Sequence, residues 1–452
     1  MNSKLAPGER SDQFDRASKG EIDIMIGPRS ALFTPFERLG LIIIDEEHEA
    51  SYKSETMPKY HAREVAQEIC HMKSASLLLG SATPSLEAYY QAKEQKIKLF
   101  TLDNRLAGGE LPSVHIVDLR EELKQGNRSI FSRKLKELLQ DRLEKGQQSM
   151  LFLNRRGFAG FVSCRACGHV MKCPHCDVSL SEHRNGKLVC HYCGYSMPVP
   201  QKCPTCDAEA LKDRGFGTEK VIEALQKYFP EAKVDRLDVD VSRSRAQYQG
   251  VLERFTKGET QILVGTQMVA KGLDFDNVGL VGILNADNMM NFPDFRSGER
   301  AFQLMVQVSG RAGRRQKQGL VVLQTTQPDH YIIPAVLAQN TGAFYQQELQ
   351  ERFDFSYPPF VRLIEVQVRH KQLEVATSLI QQLASVLSQY QQVEILGPSN
   401  ALIGKVQNQF VKQFLVKIKG NSQSVRMQLV QMSAQLKKQN SSAQIIIDVD
   451  PM

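Results

Sequence analysis

The sequence predicts an α/β protein built on parallel sheet, carrying a metal-binding insertion and ending in an α+β unit. Three observations carry this reading. Short β-branched runs alternate with helix-spaced segments from residue 21 onward. Eight of the nine cysteines fall between Cys164 and Cys206, in four C-x-x-C pairs. Beyond the double proline of Tyr357-Pro-Pro-Phe360 the order changes to strand–helix–strand–strand–helix–strand.

With 452 residues the chain has ample length for several domains. Charged residues make up 24% and hydrophobic ones 42%, the balance of a soluble globular protein. No apolar run reaches the length of a membrane span. A net charge of +7 permits a nucleic-acid partner without requiring one. No signal peptide is evident, so the cysteines are expected to be reduced and the location cytoplasmic.

Taking the chain in order, Ile22–Ile26 is a short apolar run, and Leu41–Ile44 reads as a strand buried in parallel sheet. Tyr60–Met72 has helical spacing. Ser76–Leu79 reads as a second buried strand, and Pro84 as the first-turn proline of a helix over Ser85–Gln91. The first strand runs directly into Asp45-Glu46-Glu47-His48. Carboxylates at a strand's carboxyl end suit Mg²⁺ binding by Asp45 and activation of a water by Glu46. Gly80-Ser81-Ala82-Thr83 stands at the next strand tip and suits a link to a neighbouring lobe. Between the tips, Tyr52, Lys53, Tyr60 and Arg63 interleave aromatic and basic side chains, as stacking on unpaired bases requires; an ordinary solvated loop is the bland alternative.

A second α/β unit begins near Phe131, with a helical stripe of Leu135, Leu138, Leu139 and Leu143 and then a strand over Ser149–Leu153. The cysteines interrupt it. Their pairs are Cys164/Cys167, Cys173/Cys176, Cys190/Cys193 and Cys203/Cys206, separated by 5, 13 and 9 residues. Each C-x-x-C turn aims two thiolates at one point, so four pairs make two structural Zn–S4 sites with no position open for water. Disulfides and an iron–sulfur centre fit less well. Spacing alone does not assign the pairs; a nested arrangement is favoured, outer pairs on one zinc and inner pairs on the other. His169, His175, His183 and His191 are expected at the solvated surface. The α/β pattern resumes at Gly215–Glu219, with strands over Ile262–Val264 and Val278–Leu284. Gln307, Arg311 and Arg314 follow in a glycine-spaced turn, where arginines suit a transferring phosphoryl group. In the last unit Lys405, Lys412, Lys417 and Lys419 mark either a nucleic-acid face or a solvated sheet edge.

In this order, Gly27–Phe33, Asp45–His48, Gly80–Thr83, Leu151–Gly157, the eight cysteines, Gly265–Met268, Lys271-Gly272, Asp294–Arg300, Gln307–Arg314 and Asp448–Pro451 resemble the superfamily-2 DNA helicases. More narrowly they resemble the PriA-type replication-restart (primosomal protein N′) family. That resemblance implies two RecA-like helicase lobes, the first incomplete, with a zinc-binding insertion and a ferredoxin-like C-terminal domain. The corresponding divisions are 1–120 for the first lobe, 121–162 and 208–340 for the second, 163–207 for the zinc module and 341–452 for the last domain. It further implies an ATP-driven 3′→5′ DNA helicase of primosome assembly at stalled forks, with Mg²⁺, ATP and two structural zincs as cofactors. Forked or branched DNA, restart proteins and single-stranded-DNA-binding protein are the implied partners. Catalysis is expected from Asp45, Glu46 and Arg314. The implied nucleotide site is Asp45, Glu46, His48, Gly272, Gln307, Arg311 and Arg314. The implied DNA contacts are Tyr52, Lys53, Tyr60, Arg63, Arg155, Thr266 and Gln267.

The sequence departs from the family in one respect. No G-x-x-x-x-G-K-[ST] occurs, and Gly186-Lys187 and Gly404-Lys405 lack its spacing. The family's amino-terminal DNA-binding part, phosphate-cradling loop and first strands would precede Met1. The chain is therefore expected to be a carboxyl-terminal portion, inactive as an ATPase by itself, with apolar sheet edges exposed. The alternative function is a non-enzymatic zinc module on a helicase scaffold that binds DNA or replication proteins.

Overall fold

The computed structural model describes residues 6–102, 112–154, 161–176, 178–183, 186–209, 211–213, 217–238, 241, 244–267, 275–313, 319–338 and 341–451. Its centre is a six-stranded, wholly parallel sheet in the order Val234–Leu237, Ile262–Gly265, Gln148–Phe152, Val278–Ile283, Leu320–Thr325, Ser113–Asp118. The interior runs Ile262–Gly265 and Val278–Ile283 are apolar throughout because helices cover both faces. On one face Leu135, Leu139, Val221 and Leu225 pack from the helices Arg133–Glu144 and Thr218–Tyr228. On the other, Phe255, Phe302 and Met305 pack from Arg245–Thr256 and Ser297–Ser309. The edge strand Ser113–Asp118 pairs with Leu320–Thr325, so it belongs to this sheet although it precedes the 120/121 division read from sequence.

The first unit is smaller. Among the described residues Leu41–Ile44 pairs only with Ser76–Leu79, in parallel, and the helix Ala62–Lys73 covers one face through Ala66 and Cys70. Both strands were expected to be buried. Instead Leu41, Ile43 and Leu78 are 51%, 61% and 48% exposed, because alternate side chains of a sheet with one covered face must point into solvent. Ile22–Ile26 forms no strand, and Ile24 and Ile26 stand in solvent. The next helix is Leu86–Lys93, capped by the Ser85 hydroxyl, which accepts from the Ala88 amide; Pro84 therefore precedes the cap and is not a first-turn residue.

The last unit is a four-stranded antiparallel sheet in the order Val393–Val406, Gln409–Ile418, Arg362–His370, Gln444–Val449. Leu379, Ile380 and Leu383 of Leu373–Leu387 and Leu429 of Gln423–Gln439 share its core, the split βαβ arrangement expected. Lys417 is 4% exposed, not on a solvated face: its ammonium lies 4.3 Å from the Tyr357 ring centroid and donates to the Phe355 carbonyl. Tyr357 in turn stacks on Phe295 at 4.4 Å, and the Arg296 guanidinium lies 4.2 Å from the Phe295 ring centroid. The Tyr357 hydroxyl donates to the Cys176 carbonyl, and the Tyr192 hydroxyl accepts from the Phe295 amide. One aromatic pair thus joins the last unit, the cysteine module and the central α/β unit. No helix among the described residues is long and apolar enough to cross a membrane.

Candidate functional site

The acidic strand tip is held by its own backbone and by the neighbouring strand. Asp45 Oδ1 accepts from the Glu46 amide at 3.0 Å, and Glu46 adopts a left-handed φ of 46° that turns the chain sharply after the strand. The Glu47 amide donates to the Gly80 carbonyl at 3.0 Å, joining the two strand tips. Asp45 is exposed and Glu46 half-exposed, whereas Glu47 is 2% exposed and accepts from Arg63 at 2.7 Å and the Ser85 amide at 2.6 Å. Burial works against Arg63's charge, but Glu47 and Glu87 raise its pKa overall.

His48 connects this tip to the central unit. Its Nδ1 lies 2.7 Å from Ser81 Oγ and its Nε2 lies 2.9 Å from the Gln307 amide nitrogen. An amide N–H can only donate, so Nε2 accepts and the ring proton resides on Nδ1, where it is donated to Ser81. Two further contacts run along the same helix face. Gln303 donates to the Thr83 carbonyl at 3.3 Å, and Glu299 accepts from the Leu86 amide at 2.8 Å. Glu299, Gln303 and Gln307 recur every four residues of Ser297–Ser309, which aligns them in one row. The sequence singled out Gln307 but assigned no role to Glu299 or Gln303; stepping back from Gln307 by fours was the available signal.

Behind the row, Arg352 is 2% exposed and donates to Glu299 at 2.5 Å, with Glu87 at 3.5 Å. Burial opposes the charge of Glu87, but Arg352, Arg296 and Arg63 hold its carboxyl down at about 2. The pocket beside His48 and Gln307 also contains Asn154, Gln267 and Arg300. A larger cavity, about 660 Å³, opens on the other side of His48 between Arg63, Glu87, Arg296, Arg362 and Arg426.

The residues expected to meet DNA are placed differently from one another. Tyr52 spends its hydroxyl on the Asp45 carbonyl at 2.7 Å, and Tyr60 packs edge-on against Phe33. Gln267 donates to Asn154 at 3.3 Å. Lys53, Arg63 and Thr266 are not on the open surface. Lys53 is 5% exposed and paired with Asp448, Arg63 holds Glu47, and Thr266 is 5% exposed at the end of its strand. A charge removed from water needs a fixed counter-charge, and both cations have found one inside the protein. Arg311 closes the turn after the Gln307 helix. Arg155, Gly272 and Arg314 lie outside the described residues.

The cysteines form two sets, Cys164, Cys167, Cys203 and Cys206 in one and Cys173, Cys176, Cys190 and Cys193 in the other, with all sulfurs of a set within 4.8 Å. This is the nested arrangement. Cross-pair sulfur separations are 3.7 Å for Cys164–Cys206, 3.6 Å for Cys167–Cys203 and 3.6 Å for Cys173–Cys193. A tetrahedron with Zn–S bonds of about 2.3 Å has edges of roughly 3.8 Å, so the sets fit zinc. After three of the pairs the chain turns through a left-handed residue, Gly168, Gly194 or Asp207, whose amide donates back to the first cysteine's carbonyl. At Gly168 a side chain is impossible for a second reason: a Cβ there would sit 2.5 Å from the Thr326 carbonyl of the central unit. None of the four nearby histidines joins either set, and His191, expected at the surface, is 7% exposed with its ring against His183.

Residues 173–198 match the PriA DNA helicase Cys-rich region, 213–316 the helicase conserved C-terminal domain and 354–452 the primosomal protein N C-terminal domain. Similar curated proteins carry one name, replication restart protein PriA. That of Bacillus subtilis (strain 168) is 46% identical over 97% of this chain and 54% of its own length. That of Haemophilus influenzae is 39% identical over 100% of this chain and 61% of its own. That of Borreliella burgdorferi is 34% identical over 100% and 67%. Among solved structures, RecG bound to a three-way DNA junction gives a TM-score of 0.42 at 15% identity, over 78% of this chain and 36% of that one. The chain thus spans about half to two-thirds of the length of these curated relatives.

Proposed function

The chain belongs to the PriA replication-restart family, and on that premise we propose that it serves an ATP-driven 3′→5′ DNA helicase acting at stalled forks. The observation that carries this reading is the Ser81–His48–Gln307 line, which places the acidic strand tip against the helix leading to Arg311. In this reading the first helicase lobe lies within 1–120, less the strand Ser113–Asp118, which sits in the sheet of the second lobe with 121–162 and 208–340; 163–207 is a zinc insertion and 341–452 a separate domain. Asp45 would hold the metal and Glu46 would orient the attacking water, with Arg314 as the arginine that would meet the transferring phosphoryl group. His48, Gly272, Gln307 and Arg311 complete the nucleotide site. Tyr52, Tyr60, Arg155 and Gln267 face DNA, Lys53 joins them once released from Asp448, and Arg63 and Thr266 act from behind. Forked DNA, restart proteins and single-stranded-DNA-binding protein are the partners, in the cytoplasm.

Zinc fits its eight thiolates, and when bound it would fix the module's fold. Mg²⁺ and ATP fit only in part. The carboxylates are present, but the sequence holds no G-x-x-x-x-G-K-[ST] to cradle the phosphates, so we propose that this chain does not turn over ATP unaided.

The test measures ATP hydrolysis with forked DNA, for the chain and for Glu46→Gln, beside DNA binding across a salt series. Salt-dependent binding with negligible turnover is expected. Turnover that Glu46→Gln abolishes would show that the phosphate loop is dispensable; no binding at low salt would sink the DNA reading.

A further inference from the structure

Two lysines of one loop converge on a single carboxylate at the far end of the chain. Lys53 Nζ is 2.8 Å from Asp448 Oδ1, and Lys59 Nζ is 2.6 Å from Asp448 Oδ2. Lys53 also donates to the Val449 carbonyl. Glu365 stands opposite Asp448 in the antiparallel register, while both ion pairs fall on Asp448. The residue before Lys53 is tied to the acidic tip, where the Tyr52 hydroxyl donates to the Asp45 carbonyl. Between these anchors the loop rises into solvent, with Met57 73% exposed.

The ordinary reading is a structural clamp between domains. A clamp needs one lysine for one carboxylate, however, and here a second lysine is added that remains 19% exposed. Two lysines on one pair of anionic oxygens is also how a phosphodiester is held. Resting on the DNA-binding reading above, we propose that Lys53 and Lys59 form a phosphate site for single-stranded DNA that Asp448 occupies until DNA displaces it. Loading DNA would then free the loop from the last domain while leaving it attached to the acidic tip through Tyr52. Asp448 sets the threshold for that exchange, and Glu365 assists it.

The experiment measures binding of a labelled single-stranded oligonucleotide by the full chain and by Asp448→Asn, over a range of salt. The asparagine keeps the side chain's shape and removes its charge. Each lysine made available steepens the slope of log K against log salt by about 0.7, so a change of up to ~1.4 is expected. The same term tightens binding roughly five-fold per lysine at about 0.1 M salt. Glu365→Gln, which leaves both Asp448 ion pairs in place, should move binding in the same direction by less. Lys59→Gln added to Asp448→Asn should remove about half of the gain. An unchanged circular-dichroism spectrum and thermal midpoint in each variant separate a gain at this site from damage to the fold. An unchanged or weaker affinity for Asp448→Asn, with normal binding by the parent chain, overturns the displacement proposal. Failure of parent and variants alike to bind overturns the DNA reading on which it rests.

Discussion

Glu299→Gln tests whether the helix row holds the two α/β units together. Glu299 is 4% exposed; one oxygen accepts from the Leu86 amide at 2.8 Å and the other from Arg352 at 2.5 Å. Glutamine preserves the size and the first contact. At the second it places an N–H against the guanidinium, donor facing donor. Arg352, 2% exposed, would be left with Glu87 at 3.5 Å and the Pro358 carbonyl at 3.1 Å. Removing one member of a buried pair costs about 3–5 kcal/mol, and the surviving Glu87 contact places this case at the lower end, near ~3 kcal/mol. Urea unfolding of the chain should show the loss as a lower midpoint. Amide exchange should show it at Leu86 and along Ser297–Ser309, where protection falls by about two orders of magnitude if opening carries the full cost. A loss under ~0.5 kcal/mol, or Leu86 protection unchanged, would mean that the row is incidental to the join.

Metal analysis of reduced protein should return two zincs per chain, and Cys206→Ser, at the exposed corner of the outer set, should leave one; two retained in that variant would refute the set assignment. Gly298→Ala should destabilise by about 1–3 kcal/mol although alanine is the better helix former, because its Cβ would lie 2.0 Å from Glu348 Oε1 and 2.6 Å from the Tyr331 hydroxyl. A thermal midpoint equal to or above the parent's would reverse that sign. His61 accepts from the Arg63 amide as a helix cap, and burial, then the Arg63 charge, lowers its pKa from 6.5 to about 4. The unfolded chain therefore binds more protons between those values, so stability is full above about pH 6.5 and falls as pH drops toward 4. His61→Asn keeps a capping oxygen without titrating, and the stability–pH curve should flatten across that window; an unaltered curve would exclude His61 as its source.

What could be read in advance was whatever is written in local spacing. The C-x-x-C pairs, the leucine stripe of Arg133–Glu144 and the strand–helix order after Phe360 all have periods of a few residues, and all appear where expected. Sheet neighbours are not local. The aliphatic run Leu41–Ile44 looks like any interior strand, and its exposure depends on whether anything covers the sheet's second face. The same limit explains the ion pairs. Lys53 and Arg63 look like free cations of a basic loop, but their counter-charges are Asp448, at the other end of the chain, and Glu47, already counted among the acidic tip. Glu299, inside the run Asp294–Arg300, and Gln303 received no role from the sequence, since periodicity separates buried from exposed and says nothing of a polar residue facing a second unit.

The Phe295–Tyr357 stack has a consequence for rebuilding the molecule. It sits two residues ahead of the Ser297–Ser309 helix, with one ring contributed by each of two units and the cysteine module bonded to both. The module is therefore not a portable part. A chimera that imports a relative's cysteine segment inherits an interface written in Phe295 and Tyr357, outside the segment's own limits. Grafts that move those two rings together with residues 163–207 should preserve the seating of the helix, and grafts that split them should not.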